Sequence, residues 1–181
     1  MHKTFPSVPW RPVLGLSLLA LVFGQSAHGE DCGAGPANAR EATPQEIRGY
    51  FKTGKKTVLT FLGYSGAGYE APEAMLEEAA AILDRHKKSR TVVNIGATAE
   101  GIGAVYELAK RKGFATTGIV STQARDSQAA LSPCVDTVFF VKDDTWGGYL
   151  PGTNTLSPTS AAMVANSDEL VAIGGGDVAR D

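Results

Sequence analysis

The tightest constraint on the fold is an alternation of two hydrophobic rhythms between residues 55 and 121. Three short runs rich in β-branched residues, "KKTVLTFLG" (55–63), "TVVNIG" (91–96) and "ATTGIVS" (115–121), read as strands. Between them lie "APEAMLEEAAAILDRHKKS" (71–89) and "GIGAVYELAKRKG" (101–113), whose apolar residues recur at helical spacing, with Gly113 as a stop. A strand–helix–strand–helix–strand series folds as right-handed crossovers between parallel strands. "VDTVFFVK" (135–142) supplies a fourth strand, "SPTSAAMVANS" (157–167) a helix and "ELVAIG" (169–174) a fifth strand. The expectation is an α/β chain with a Rossmann-like doubly wound sheet of about five parallel strands, in three α/β/α layers.

Ahead of this block the chain divides in two. His2, Lys3 and Arg11 precede an apolar run at 13–24, and Ala27-His28-Gly29 offers a small-x-small cleavage site, so residues 1–29 read as a signal peptide. That run is short of the ~20 residues a membrane span needs. A secreted or periplasmic protein is expected, membrane-anchored if the leader stays uncleaved. Residues 30–54 read as a loose leader ending in one short helix: in "TPQEIRGYFKTG", Thr43 caps, Pro44 suits the first helical position and Glu46 completes a capping box. Ile47, Tyr50 and Phe51 form its apolar stripe. Residues 55–181 make the ligand-binding domain.

Only two cysteines are present, Cys32 and Cys134. In an oxidising compartment they are able to pair, and two free thiols fit the sequence equally well. His86, in "DRHKKSR", reads as a solvated helix end. No histidine or cysteine has metal-ligand spacing, so neither metal nor cofactor is assigned. The net charge of −2 offers no basic field for a nucleic acid.

In an open parallel sheet, ligands bind beyond the carboxyl ends of the strands. Three strands end there in glycine-rich turns: Gly63, Gly66 and Gly68 in "GYSGAG"; Gly96, Gly101 and Gly103 in "GATAEGIG"; and Gly174, Gly175 and Gly176 after the last strand. Such turns present N–H groups to an anion, and the first two lead into helix N-termini that favour phosphate. None has dinucleotide or Walker spacing, which disfavours nicotinamide cofactors and triphosphate hydrolysis. Tyr64 and Ser65 share the first loop, and Glu100 adjoins the glycines of the second, placed to meet a ribose hydroxyl or a base edge. These residues form the candidate ligand set. The loop at 142–160, with Trp146 and Tyr149, is long for a connection and is either a lid or a partner surface.

The segments "GATAEGIGAVYELAKRKGFATTGIVS" and "MVANSDELVAIGGG" resemble the Lonely Guy and lysine-decarboxylase-like family of SLOG type, over about residues 55–181. The resemblance implies a Rossmann-like fold that binds nucleotides or nucleotide-derived ligands. Its best-known members remove the base from a cytokinin riboside monophosphate, and more distant ones sense nucleotide derivatives. Set on the family's P-G-G-x-G-T-x-x-E loop, Gly175 and Gly176 match, Gly174 stands at the proline, and Val178 and Ala179 replace the third Gly and the Thr. The glutamate would fall one place past Asp181, and the arginine of the hydrolases' preceding helix is replaced by Thr159. N-glycosidic cleavage needs a carboxylate at the sugar and a cation on the phosphate. Catalytic residues therefore remain unassigned, and the expected function is binding of a nucleotide-derived or other phosphorylated small ligand. The alternatives are a phosphoribohydrolase-like enzyme and a non-catalytic interaction scaffold. A homodimer is compatible with the family.

Overall fold

The computed structural model describes residues 32–175. The leader at 1–29, Glu30 and Gly176 with the residues after it lie outside that range. In chain order the elements are β1 (Asn38–Glu41), α1 (Pro44–Gly54), β2 (Thr57–Gly63), α2 (Pro72–Leu83), β3 (Thr91–Ile95), a 3-10 turn (Gly101–Ala104) running into α3 (Val105–Arg111), β4 (Ala115–Ser121), α4 (Thr122–Asp126), β5 (Thr137–Val141), α5 (Pro158–Ala165) and β6 (Glu169–Ile173).

All strand pairings are parallel, in the order β1-β5-β4-β3-β2-β6. The doubly wound sheet expected from the sequence is therefore present, with six strands where about five were counted. The additional strand is β1, inside the stretch read as a loose leader. Its sequence NARE is exposed throughout and carries no hydrophobic rhythm. Backbone pairing to β5 (Asn38↔Thr137 to Glu41↔Phe140), the Arg125–Glu41 ion pair and Arg40 stacked 5.1 Å over Phe139 hold it in place.

Residues alternate between two buried faces. Leu59, Phe61, Val93, Ile95, Val120 and Phe140 face the layer of α2 and α3, with Met75, Leu83, Val105 and Tyr106. Val58, Val92, Ile119 and Phe139 face α1 and α5, with Ile47, Phe51 and Ala162. Each such side chain contributes about 1.5–3 kcal/mol on burial, which is why both faces must be covered by helices. The α1 capping box forms as expected: Thr43 N–H donates to the Glu46 carboxylate at 2.7 Å and Glu46 N–H returns to the Thr43 hydroxyl at 3.3 Å. Of its apolar stripe, Ile47 and Phe51 are buried while Tyr50 is 42 % exposed.

Helix α2 ends at Leu83, earlier than its sequence run suggests, because Leu83 is its last buried residue and the cations beyond it are exposed. His86 is not a solvated end: its side chain is only 16 % exposed and lies 3.6 Å from the Glu169 carboxylate on β6. Cys32 and Cys134 form a disulfide with Cα atoms 4.6 Å apart, tying the segment ahead of β1 to the entry of β5. A buried polar row crosses the α5 face of the sheet. Thr117 donates to Asn94 (3.2 Å), Asn94 to Thr60 (3.1 Å), and Thr60 shares a 2.6 Å bond with Ser167, which donates to the Met163 carbonyl.

The order of strands fixes where a crevice opens. From β2 the chain steps outward to β3, β4 and β5, then returns to place β6 on the other side of β2. The switch point lies between β2 and β6, which stay paired through Gly63↔Ile173, and a crevice is expected beyond their carboxyl ends.

Candidate ligand cleft at the carboxyl edge of the sheet

Two hollows flank the first glycine loop. The larger, about 790 Å³, sits at the switch point and is lined by Tyr64, Gly68, Tyr69, Glu70, Ala71 and Met75 from the loop and α2, with Ile173 and Gly174 from the end of β6. The smaller, about 170 Å³, lies over the ends of β2, β3 and β4, where Gly63, Ser65, Gly96 and Thr98 face Trp146, Thr159 and Met163. The expected loops of residues 63–68, 96–103 and 174–175 thus converge on one edge. The Ile102 N–H donates to the Tyr64 carbonyl at 2.7 Å, joining the first loop to the second. The Tyr69 hydroxyl accepts from the Tyr64 N–H at 3.2 Å and donates to the Ile173 carbonyl, bolting the first loop to β6. Burial pushes the Tyr69 phenol above its usual range, keeping it a donor at neutral pH.

The glycines separate into two kinds. A Cβ on Gly63 would lie 2.0 Å from the Tyr69 hydroxyl, on Gly103 2.0 Å from the Thr98 carbonyl, and on Gly101, at φ +59°, 2.2 Å from the Tyr64 carbonyl. Protein atoms already occupy those spaces, so these three glycines let loop pack against loop. Gly66, Gly68 and Gly96 are different: a Cβ at Gly68 or Gly96 meets nothing within 4 Å, and at Gly66 only the Glu100 carboxylate, 3.9 Å away. Glu100 is exposed beside the first loop, and its carboxylate makes no hydrogen bond or ion pair among the described residues. At Gly174 (φ +62°) the Tyr64 ring closes one side at 3.0 Å, and Gly175 is likewise at positive φ, 116°. Gly176 lies outside the described residues.

Polarity follows from helix ends. Helix α2 begins with Pro72 after Ala71, which supplies no side-chain cap, so its N-terminal N–H groups open toward the larger hollow. The N–H groups of Ser65, Gly66 and Ala67 are also without partners among the described residues. Helix α5 is the opposite case. Ser157 caps it, and the buried Asp143 carboxylate accepts from the Thr159 N–H (2.9 Å) while its other oxygen accepts from the Thr145 N–H (2.9 Å) and hydroxyl (2.8 Å). Burial alone would raise the Asp143 pKa, but the bonds from Thr159 and Thr145 together outweigh it and hold it below the usual aspartate value. The Thr159 hydroxyl faces the same carboxylate without a hydrogen bond of normal geometry. Among the described residues no lysine, arginine or histidine lines either hollow, and Glu70 is the one charged residue along them.

Sequence reasoning passed over Asp143 as one of several loop acids and weighed Thr159 only as an arginine replacement. Sixteen positions separate them, so no local pattern could have joined them. Tyr106 is a comparable omission. Its fully buried hydroxyl donates to the Thr117 carbonyl at 2.7 Å and accepts from the Ala97 N–H at 3.2 Å, fixing Ala97 at φ +64° where the second loop leaves β3. Trp146, 58 % exposed, forms the outer rim of the smaller hollow.

No protein-family model matches the sequence, and no curated protein is a significant match. Among solved structures, the molybdenum cofactor carrier protein of Chlamydomonas reinhardtii is similar at a TM-score of 0.45 and 21 % identity, over 67 % of this chain and 64 % of that one. The present chain thus spans just under two thirds of that neighbour's length.

Proposed function

We propose that this is a small-molecule-binding domain related to the Lonely Guy class, exported from the cytoplasm, that holds a nucleotide-derived or other phosphorylated ligand at the switch point. One observation carries the reading: the uncapped N-terminus of α2 and the unpaired Ala67 N–H lie at the same hollow beside two tyrosines, with the unpaired N–H groups of Ser65 and Gly66 next along the loop. Oriented N–H groups bind phosphate without a cation, and Tyr64, 42 % exposed, offers a face for a base. Among the described residues no cation lines either hollow, which favours binding over turnover, because none of those residues would stabilise a leaving phosphosugar.

The test is thermal denaturation with adenosine monophosphate, adenosine and inorganic phosphate. At ten times its Kd a nucleotide adds ~1.4 kcal/mol of stability and raises the midpoint by several degrees. The monophosphate should exceed either fragment, and Gly66→Asp, placed in open space, should leave the melt intact while abolishing the shift. No shift with any nucleoside phosphate at millimolar concentration would defeat the proposal. Release of free base from the monophosphate would replace it with the hydrolase alternative.

A further inference from the structure

The edge opposite the ligand cleft carries a charge distribution that ligand binding does not explain. Of the fourteen lysines and arginines between residues 32 and 175, eleven fall within 48–56, 85–90 and 110–112, and no acid lies inside those three segments. Each segment ends a helix or connects it to the start of β2, β3 or β4, so all three sit at the amino edge of the parallel sheet. Contacts make them continuous. The Thr57 N–H donates to the Arg90 carbonyl at 2.8 Å, and the Lys88 side chain packs over Gly113, next to Lys112. Neighbouring acids neutralise Lys110, Arg111 and Lys112 through Asp136, Glu107 and Asp84. By contrast Lys52, Lys55, Lys56, Lys87, Lys88 and Arg90 have no ion pair among the described residues. Arg48, Lys52, Lys55 and Lys56 also rim a hollow of about 360 Å³ in which Asp168 is the one acid, its carboxylate taken up by the Val58 N–H at 2.8 Å.

Helix dipoles favour cations in a last turn, but the cations at 85–90 lie beyond the end of α2 and that at 56 beyond α1. A chain of net charge −2 that gathers its unpaired cations on one face presents a local field its total charge conceals. A second observation indicates what the field meets. The Cys32–Cys134 disulfide lies just before β1 and β5, at the same amino edge, so the chain enters the domain there. Only seven residues separate Cys32 from the apolar run at 13–24. Retained as an anchor, a run seven residues ahead of Cys32 would keep the basic edge within roughly 25 Å of the apolar layer it enters.

We propose that the amino edge of the sheet is a docking surface for an anionic lipid bilayer, with the ligand cleft on the far edge facing solvent. No helix among the described residues is long and apolar enough to cross a membrane, so contact is electrostatic and made by lysine and arginine heads with lipid phosphates. Such contacts strengthen binding about fivefold per charge and are screened by salt.

The experiment is co-sedimentation of the full chain with vesicles of pure phosphatidylcholine and with vesicles containing a third phosphatidylglycerol, at low and high ionic strength. Binding to phosphatidylcholine measures the apolar run, and the excess on anionic vesicles measures the basic edge. That excess should vanish near 1 M salt. It should fall about a hundredfold in the triple variant Lys52→Gln, Lys87→Gln, Lys88→Gln, whose positions are all exposed. Lys142→Gln, which removes one charge at the opposite edge, should leave it unchanged. Equal binding to both vesicles, or a triple variant that melts like the wild type yet binds undiminished, would overturn the proposal. So would competition by inorganic phosphate or a single-stranded oligonucleotide that displaces the protein from vesicles, since the face would then serve soluble anions. Should the triple variant fail to fold, the salt dependence of the unmodified chain decides the matter.

Discussion

Replacing Asp143 by Asn would test how the wall of the smaller hollow is held. The carboxylate is 3 % exposed and accepts three hydrogen bonds, two on one oxygen from Thr145 and one on the other from the Thr159 N–H. An asparagine keeps an acceptor for one side and turns an NH2 toward the donor on the other. One buried bond becomes a donor–donor contact, at about 1–3 kcal/mol. Loss of the negative charge at the α5 N-terminus adds about 0.3–1 kcal/mol, toward 2 in a partly buried setting. The total is about 3 kcal/mol, a fall in melting temperature of about 10 °C for a domain of this size. Thermal denaturation followed by circular dichroism would measure it, with Asp144→Asn, an exposed neighbour, as the control. Acid titration adds an independent check. Because folding lowers the Asp143 pKa, its contribution is complete above the unfolded value near 3.9 and is lost as pH falls through the lower folded value. The gap between wild type and Asp143→Asn should therefore be constant from pH 5 to 7 and shrink below about pH 4. A variant that melts within 2 °C of wild type, or a gap that does not narrow in acid, would refute the reasoning.

Two further outcomes separate packing from openness elsewhere in the molecule. Gly103→Ala forces a methyl to 2.0 Å from a backbone carbonyl and should cost 2 kcal/mol or more by overpacking, whereas Gly96→Ala, with open space, should melt within about 0.5 kcal/mol of wild type; comparable melts for the two would remove the distinction between the glycines. Reducing the Cys32–Cys134 disulfide, whose ends are 102 positions apart in sequence, should cost up to about 4–5 kcal/mol in the chain-entropy model, seen as a lower melting point in dithiothreitol than in its absence.

The sheet was legible because its information is local. Each of β2 to β6 is announced by a short apolar run and α2, α3 and α5 by their own period or cap, whereas the five-residue α4 has too short a run to show one. Thr43 and Glu46 show how far that goes, since the bonds they make are those their spacing predicts. What escaped was structure made by partners distant in sequence. The residues of β1 have no pattern of their own and become a strand only because β5 presents a free edge. His86 is sheltered by Glu169, a residue 83 positions later. In the cleft, composition could show that glycines gather but not which ones face space. Tyr69, Thr98 and Tyr64 supply the atoms that fill three of those positions, and nothing in "GYSGAG" or "GATAEGIG" tells a packing glycine from an open one.

That separation bears on how a ligand would lie. Helices α2 and α5 both begin beside the hollows at the carboxyl edge, and this pair is asymmetric. Helix α5 already holds an anion, the Asp143 carboxylate, so a phosphate placed there would meet a fixed negative charge instead of free N–H groups. Helix α2 holds none, and the amides beside it at residues 65–67 are unspent. Under the proposed function the charged end of a ligand would belong at the switch point between β2 and β6. Its uncharged part would run past Tyr64 and across Gly66 and Gly96 toward Trp146, where the smaller hollow is walled by Ile119, Met163 and other uncharged groups. A ligand in that orientation would touch the open glycines and leave the packed ones behind the protein surface. An anion bound the other way round would have to displace Asp143, at the cost in stability that its asparagine variant measures.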